Sequence, residues 1–383
     1  MSGPRQSGKT TFAKMLLKQF QQGIYRNWDI VTHQKQIVTS PYFFQNENRT
    51  SDDLFLVVLD ELHKYPKWKQ YVKGCYDGFN EDYCFFITGS GRLDLFKKGG
   101  DSLFGRYFAI RLFPFTLGEL AQKEISYEKT AEAIYSGFAH AEFRDIYEQL
   151  YQFSGFPEPF IKADTRFYHL WNNERRKTLI KEDIRDAYMI KEIAHVEILA
   201  SLLSTKIGSP LSINSLKDDI GTSFDSVKRW LSILEQFYYV FFIRAYNRKL
   251  SRALKKEQKA YLYNWVEVEE PGIRFENMVA LHLYKTIHLW NETGCGKFEL
   301  FYVRDKDGRE VDFLVVEGTL PVFIIECRFN DTEISKNLLY YQKKISVPYA
   351  IQLVHQKNVL KKMKHGGMVQ YIVSADRFLQ EWG

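Results

Sequence analysis

The chain is poor in cysteine and has no long apolar run. Its four cysteines, Cys75, Cys84, Cys295 and Cys327, show no CxxC spacing. That argues against a structural zinc site and leaves a reduced, cytoplasmic protein as the simple reading. No apolar stretch approaches the roughly 18 residues that a membrane-spanning helix needs. Phe237–Ile243 is among the longest and reads as a buried strand or a helix end. A charged n-region followed by an apolar h-region, the mark of a secretory signal, is also missing. Low complexity and disorder are excluded by composition, since hydrophobic residues make up 45% and aromatics 16%. At 383 residues the chain is expected to hold two or three domains, at about 100–200 residues each.

What is there begins at once. Gly3-Pro4-Arg5-Gln6-Ser7-Gly8-Lys9-Thr10 fits the phosphate-binding P-loop pattern G-x-x-x-x-G-K-[ST]. The glycines let the backbone curl so that successive N–H groups face phosphate oxygens. Lys9 reaches the outer phosphates, and the Thr10 hydroxyl takes one Mg²⁺ position. A helix from Thr10, through Thr11, to about Phe20 adds its N-terminal dipole to the same anion. A P-loop normally follows a buried strand, and here only Met1 and Ser2 come first. The expectation is a truncated first strand, with a natural start further upstream or weakened ATP binding.

Leu54–Leu59 is a continuous apolar run ending in Asp60-Glu61, as a strand buried on both faces of a parallel sheet would read. Cys84–Ile87 followed by Thr88-Gly89-Ser90-Gly91 repeats that pattern, and Arg111–Phe113 reads as a further short strand. Ligands of open α/β sheets sit at the carboxyl ends of the strands. Asp60 is therefore expected to hold Mg²⁺ through water, and Glu61 to polarise the attacking water. Thr88 or Ser90 senses the outer phosphate, and Arg92 or Arg106 stabilises charge. Ordinary turn chemistry for Thr88 and Ser90, and surface ion pairs for the arginines, remain alternatives.

From Gly118 to about Ile190 the pattern is helical, with a break at Gly155–Pro159. Ser215–Ile220, the turn Gly221-Thr222-Ser223 and a helix from Phe224 to Phe237 make a helix-turn-helix pattern. Val227, Leu231, Leu234 and Phe237 share its apolar face, while Lys228 and Arg229 can face outward. Tyr238–Tyr246 and Tyr261–Trp265 read as two strands around a wing. Between them Arg244, Arg248, Lys249, Arg252, Lys255, Lys256 and Lys259 face only Glu257. These seven cations against one acid match the excess of the whole chain, +6. A winged helix binding DNA through Lys228, Arg229, Arg248, Lys249, Arg252, Lys255 and Lys256 is one reading. A solvated surface on a helical interaction or oligomerisation module is the other.

The last block holds a helix at Phe275–His288 and strands at Phe298–Val303, Val311–Val316 and Val322–Ile325, with a turn at Asp307-Gly308. A helix at about Ser335–Ile345 and a strand at Tyr349–Val354 follow. Glu276, Asp312 and Glu326-Cys327-Arg328 resemble the PD-(D/E)XK nuclease arrangement, in which carboxylates bind Mg²⁺. Arg328 stands where that arrangement has a lysine. Arginine stays protonated, so it cannot act as a base, although it can hold a phosphate. An active nuclease and a decayed nuclease fold used for binding or assembly are both open.

Together these residues resemble the prokaryotic AAA-type P-loop ATPases that carry a C-terminal domain of unknown function with a restriction-endonuclease-like fold. The resemblance runs along essentially the whole chain. Its residues are Gly3–Thr11, Leu59-Asp60-Glu61, Thr88–Asp94, Gly99–Tyr107, Pro114-Phe115, Glu119-Leu120, Ser154–Pro159, Lys181–Asp186, Phe275–Asn277 and Arg309–Phe313. It implies ATP binding, hydrolysis, a winged-helix segment and a nuclease-like tail.

The expected architecture is α/β, in four parts. Residues 1–120 form a P-loop ATPase domain, 121–190 a helical segment, 191–270 a winged-helix-like domain and 271–383 a nuclease-like domain. The expected function is Mg·ATP binding and hydrolysis coupled to DNA binding. The alternatives are an ATP-gated nuclease and a nucleotide-dependent, non-catalytic scaffold. Assembly into a homo-oligomer is open, and no membrane partner is expected.

Overall fold

A computed structural model describes residues 1–89, 91, 105–123, 126–138, 142–188, 192–247 and 258–382, with the side chains of 186 and 187 left aside. The chain divides into two compact units, residues 1–113 with 236–238, and residues 114–235 with 239–383.

The first unit is built on a parallel sheet of β1 (Gly23–Asn27), β2 (Phe55–Asp60) and β3 (Tyr83–Ile87), in the order β1-β2-β3. Every residue of β2 is buried, which is why its sequence is an unbroken apolar run. The two-residue period of a strand then splits that run between two layers. Leu56 and Val58 pack with Ala13 of helix α1 (Lys9–Gln19). Phe55, Val57 and Leu59 pack with Ile24, Phe43, Phe44, Trp68 and Val72. Helices α2 (Val31–Thr39) and α3 (Trp68–Phe79) contribute Ile37, Val72 and Cys75 to that second layer.

The two residues ahead of the P-loop occupy a strand position of their own. Ser2 bridges Gly89 on one side and Arg111 on the other, both in parallel. The amide of Gly89 donates to the Met1 carbonyl at 3.2 Å, and that of Leu112 donates to the Ser2 carbonyl at 2.8 Å. The short strand expected at Arg111–Phe113 is reduced to this bridge. So the loop Gly3–Gly8 leaves the sheet beside the end of β3, with α1 following it directly.

The second unit centres on an eight-stranded mixed sheet in the order β10-β11-β9-β8-β7-β6-β4-β5. Its strands are β4 (Val240–Ala245), β5 (Gln258–Leu262), β6 (Phe298–Arg304), β7 (Glu310–Glu317), β8 (Leu320–Arg328), β9 (Tyr349–Val354), β10 (Leu360–His365) and β11 (Met368–Ser374). The long helix Pro271–Glu292 carries many of its residues into the core and packs on β5, β6 and β8. Helix Lys336–Ile345 buries Leu338, Tyr341 and Ile345 against Val311, Leu314 and Ala350. Helices from Leu117 to Ser204 cover the rest, with a break at Ser154, whose φ is 74°.

The helix pair expected in the middle segment forms as Ile213–Ile220 and Phe224–Gln236, turned by Gly221 at φ 74°. Val227, Leu231, Leu234 and Phe237 are buried as the pattern requires. The strands expected to flank a wing behave differently. β4 and β5 pair antiparallel, Val240 with Leu262 and Arg244 with Gln258. β4 also pairs in parallel with β6, Arg244 with Phe301 and Ala245 with Tyr302. The hairpin is therefore the rim of the large sheet. A local hairpin and a long-range ladder use opposite edges of β4, so the sequence of the hairpin does not reveal the second pairing.

Candidate functional site

The P-loop, β2 and β3 bring their polar ends together in the first unit. Gly3 is fixed by close packing: a Cβ there would lie 2.1 Å from the Leu112 carbonyl oxygen. Gly8 caps α1 with φ 94°, a left-handed conformation suited to glycine. Gln6 also has positive φ, 64°. Pro4 is buried, Arg5 is half-buried, and Thr11 is exposed in the first turn of α1. Lys9 is buried and folds its ammonium onto the carbonyls of Gly3 at 3.0 Å and Pro4 at 2.6 Å. Ser7 is 4% exposed, and its hydroxyl has no hydrogen-bond partner. A buried hydroxyl left without a partner is expensive, and in a loop of this shape an anion's oxygen would satisfy it. These residues fit a polyphosphate.

Asp60 is the hub. The Thr10 hydroxyl donates to its Oδ2 at 2.7 Å, the Tyr25 hydroxyl at 2.5 Å and the Asn27 amide at 3.1 Å. Thr88 donates to Oδ1. Burial opposes the charge on Asp60. The hydrogen bonds from Thr88, Tyr25 and Thr10, with the charge of Lys9, outweigh it and hold the carboxyl below its ordinary range. A bond that uses the Thr10 proton leaves the oxygen's lone pairs free for a cation. Asp60 and Thr10 thus fit one face of a Mg²⁺ ion.

Glu61 follows in a left-handed conformation, φ 55°. For a non-glycine residue that costs on the order of 1–3 kcal/mol and is found mostly at functional sites. Its amide donates to the Thr88 hydroxyl at 3.2 Å, so one threonine orders both acids. Its carboxylate lies 3.5 Å from Lys64 and 3.8 Å from His63, and Lys64 also holds Asp29 at 2.7 Å.

Of the other residues singled out above, Arg106 is in an exposed ion pair with Asp77 of α3, 2.6 Å long. Ser90 and Arg92 lie outside the described residues. Tyr25 and Asn27 are site residues that the sequence reading missed, because β1 (Gly-Ile-Tyr-Arg-Asn) has neither an apolar run nor alternation. The parallel register sets Asn27 opposite Asp60, which puts both at the same level of the sheet.

A second cluster lies in the second unit. Lys259 on β5 is 0% exposed, with its ammonium 2.6 Å from Glu310, 3.2 Å from Glu276 and 3.5 Å from Asp312. The Tyr261 hydroxyl donates to Glu276 at 2.7 Å, and the Cys327 amide donates to Asp312 at 2.8 Å. Arg304 pairs with Glu310 at 2.8 Å, and Arg328 pairs with Glu326. Burial, with the nearby Asp312 charge, pushes Glu276 and Glu326 up to about 7. Glu276 and Asp312 thus meet at Lys259, while Glu326 is paired with Arg328. Lys259 corrects the reading of the basic stretch: it is an interior cation, not part of a solvent-facing patch. Lys228 and Arg229 are exposed on their helix, whereas Arg248, Lys249, Arg252, Lys255 and Lys256 lie outside the described residues.

Three family models match the chain: an AAA domain over residues 1–121, domain of unknown function DUF8612 over 144–265 and domain of unknown function DUF4143 over 271–373. No curated protein matches it. Among solved structures it is similar to a point variant of Thermotoga maritima RuvB, at 17% identity over 63% of this chain and 80% of that one. The TM-score of 0.30 is too low to compare the arrangement of elements. The first unit is a P-loop domain of AAA type. Among the described residues, no helix is long and apolar enough to cross a membrane.

Proposed function

We propose that the chain is a Mg·ATP-dependent ATPase whose second unit carries a nucleic-acid-binding surface. The observation that supports this most is the Thr10–Asp60 bond at 2.7 Å, because it joins the P-loop to the acidic end of β2. Lys9, with Gly3, Ser7, Gly8 and Thr11 around it, would hold the phosphates, and Thr10 and Asp60 would hold Mg²⁺. When bound, Mg²⁺ supplies charge neutralisation on the outer phosphates. Glu61, placed by its left-handed backbone and by Thr88, would orient the attacking water and accept its proton. Lys64 and His63 stand against that carboxylate and would set its direction. Purified chain is expected to hydrolyse ATP. Lys9→Ala should abolish nucleotide binding, while Glu61→Gln should keep binding and lower turnover by about 10²–10³-fold. Turnover unchanged in both variants would sink the enzymatic half.

The nucleic-acid half is supported by the exposed pair Lys228 and Arg229 on the second helix of the helix-turn-helix. Duplex DNA binding measured by fluorescence anisotropy is expected to weaken with salt. Alanine at both positions should reduce the log–log salt slope by about 2. Binding that ignores salt, or no binding, counts against it.

A further inference from the structure

The C-terminal cluster raises a question about its cation. Resemblance to restriction-endonuclease-like domains implies Mg²⁺ held by Glu276, Asp312 and Glu326. The residues present do not fit that ion. Mg²⁺ demands near-octahedral oxygen ligands at about 2.0–2.1 Å, and no group of three or more His, Cys, Asp or Glu side chains among the described residues can hold a metal.

We propose that the Lys259 ammonium is the resident cation of this cluster, standing where a divalent metal would sit, so that the second unit folds and works without metal at Asp312. Three carboxylates from two elements, Glu276 on the long helix and Glu310 and Asp312 on β7, converge on one fully buried Nζ. An ammonium there supplies three donors for them. Most of the remaining acceptors are met from within the protein, the exception being Glu326 Oε2, which is buried without a hydrogen-bond partner. Tyr261 serves Glu276, the Cys327 amide serves Asp312, Arg304 serves Glu310 and Arg328 takes Glu326. Lys259 and Tyr261 stand two apart on β5, so they share a face and reach Glu276 together. Three cations, Lys259, Arg304 and Arg328, stand against the four carboxylates. A dication added beside Lys259 would meet a fixed positive charge and, on Glu276, Glu310 and Asp312, carboxylates already engaged. The cluster therefore reads as an internal ionic tie between β5, the long helix and β7.

The test is Mn²⁺ binding by the nucleotide-free full chain, followed by electron paramagnetic resonance, for wild type, Asp312→Asn, Lys259→Ala and the double variant. The expected result is equal Mn²⁺ uptake by wild type and Asp312→Asn. Lys259→Ala should gain a Mn²⁺ site that the double variant loses. Wild-type uptake that Asp312→Asn removes would overturn the proposal, as would a folded Lys259→Ala that gains no Mn²⁺. If Lys259→Ala does not fold by circular dichroism, the comparison of wild type with Asp312→Asn decides alone.

Discussion

Thr10 donates its hydroxyl proton to Asp60 across 2.7 Å, and through this bond the first turn of α1 is tied to the carboxyl end of β2. Thr10→Val keeps the shape of the side chain and removes both the donor and the lone pairs. ATP turnover should fall on the order of 100-fold, and nucleotide affinity should lose its dependence on Mg²⁺. Thr10→Ser should restore both. Steady-state turnover at varied Mg²⁺ reads the difference.

Tyr25 and Asn27 hold the same carboxylate from the side of β1. Tyr25→Phe deletes a charge-assisted bond worth about 1.5–3 kcal/mol. The Asp60 carboxyl is held below its ordinary range, so the stability it contributes is present above that range and is lost as pH falls through its folded value. With one donor fewer the folded value rises toward the unfolded one, so the loss should be complete at higher pH in Tyr25→Phe. Acid unfolding followed by circular dichroism in the two proteins checks this.

Gly3 has no room for a methyl group, with Leu112 oxygen 2.1 Å from the place a Cβ would take. Gly3→Ala must push the loop off the Ser2–Arg111 bridge. The first unit should lose about 1–3 kcal/mol, seen as a lower thermal midpoint, and ATP affinity should drop with it.

His282 is buried and uses both ring nitrogens as a neutral imidazole: one bonds the Met278 carbonyl at 2.8 Å, and the other accepts the Leu117 amide at 3.1 Å. Burial drives its pKa down to about 4, the Met278 carbonyl works against the shift and the Lys285 charge adds to it. A histidine that is neutral when folded and titrates near 6.5 when unfolded stabilises fully above 6.5. That stabilisation is lost as pH falls toward 4. The linkage amounts to about 3 kcal/mol. Urea unfolding between pH 7 and pH 4 should show the fall in wild type and a smaller one in His282→Gln, which can still accept the Leu117 amide.

Buried strands and loop chemistry were legible in the sequence, and half-polar strands were not. β2 stands out because burial on both faces removes polar residues, β3 because its half-buried positions are still apolar, and the P-loop because backbone shape demands glycine. β1 escapes notice with only Ile24 buried, so Tyr25 and Asn27 escaped with it. β10 is exposed at every residue and reads as a charged loop, though Gly366-Gly367, both at positive φ, mark the hairpin turn behind it. Lys259 was hidden by its basic neighbours. Every residue of β5 from Lys259 to Leu262 is buried, so no alternation marked its side chain as pointing inward.

The parallel ladder of β4 on β6 bears on how this protein can be divided. A boundary near Pro271 looks natural from the sequence, yet it would strip β4 and β5 from the sheet and leave one rim of β6 with bare amides and carbonyls. Such a rim recruits other chains. A fragment starting at Pro271 should be recovered as aggregate, whereas one starting near Pro114 keeps the rim covered.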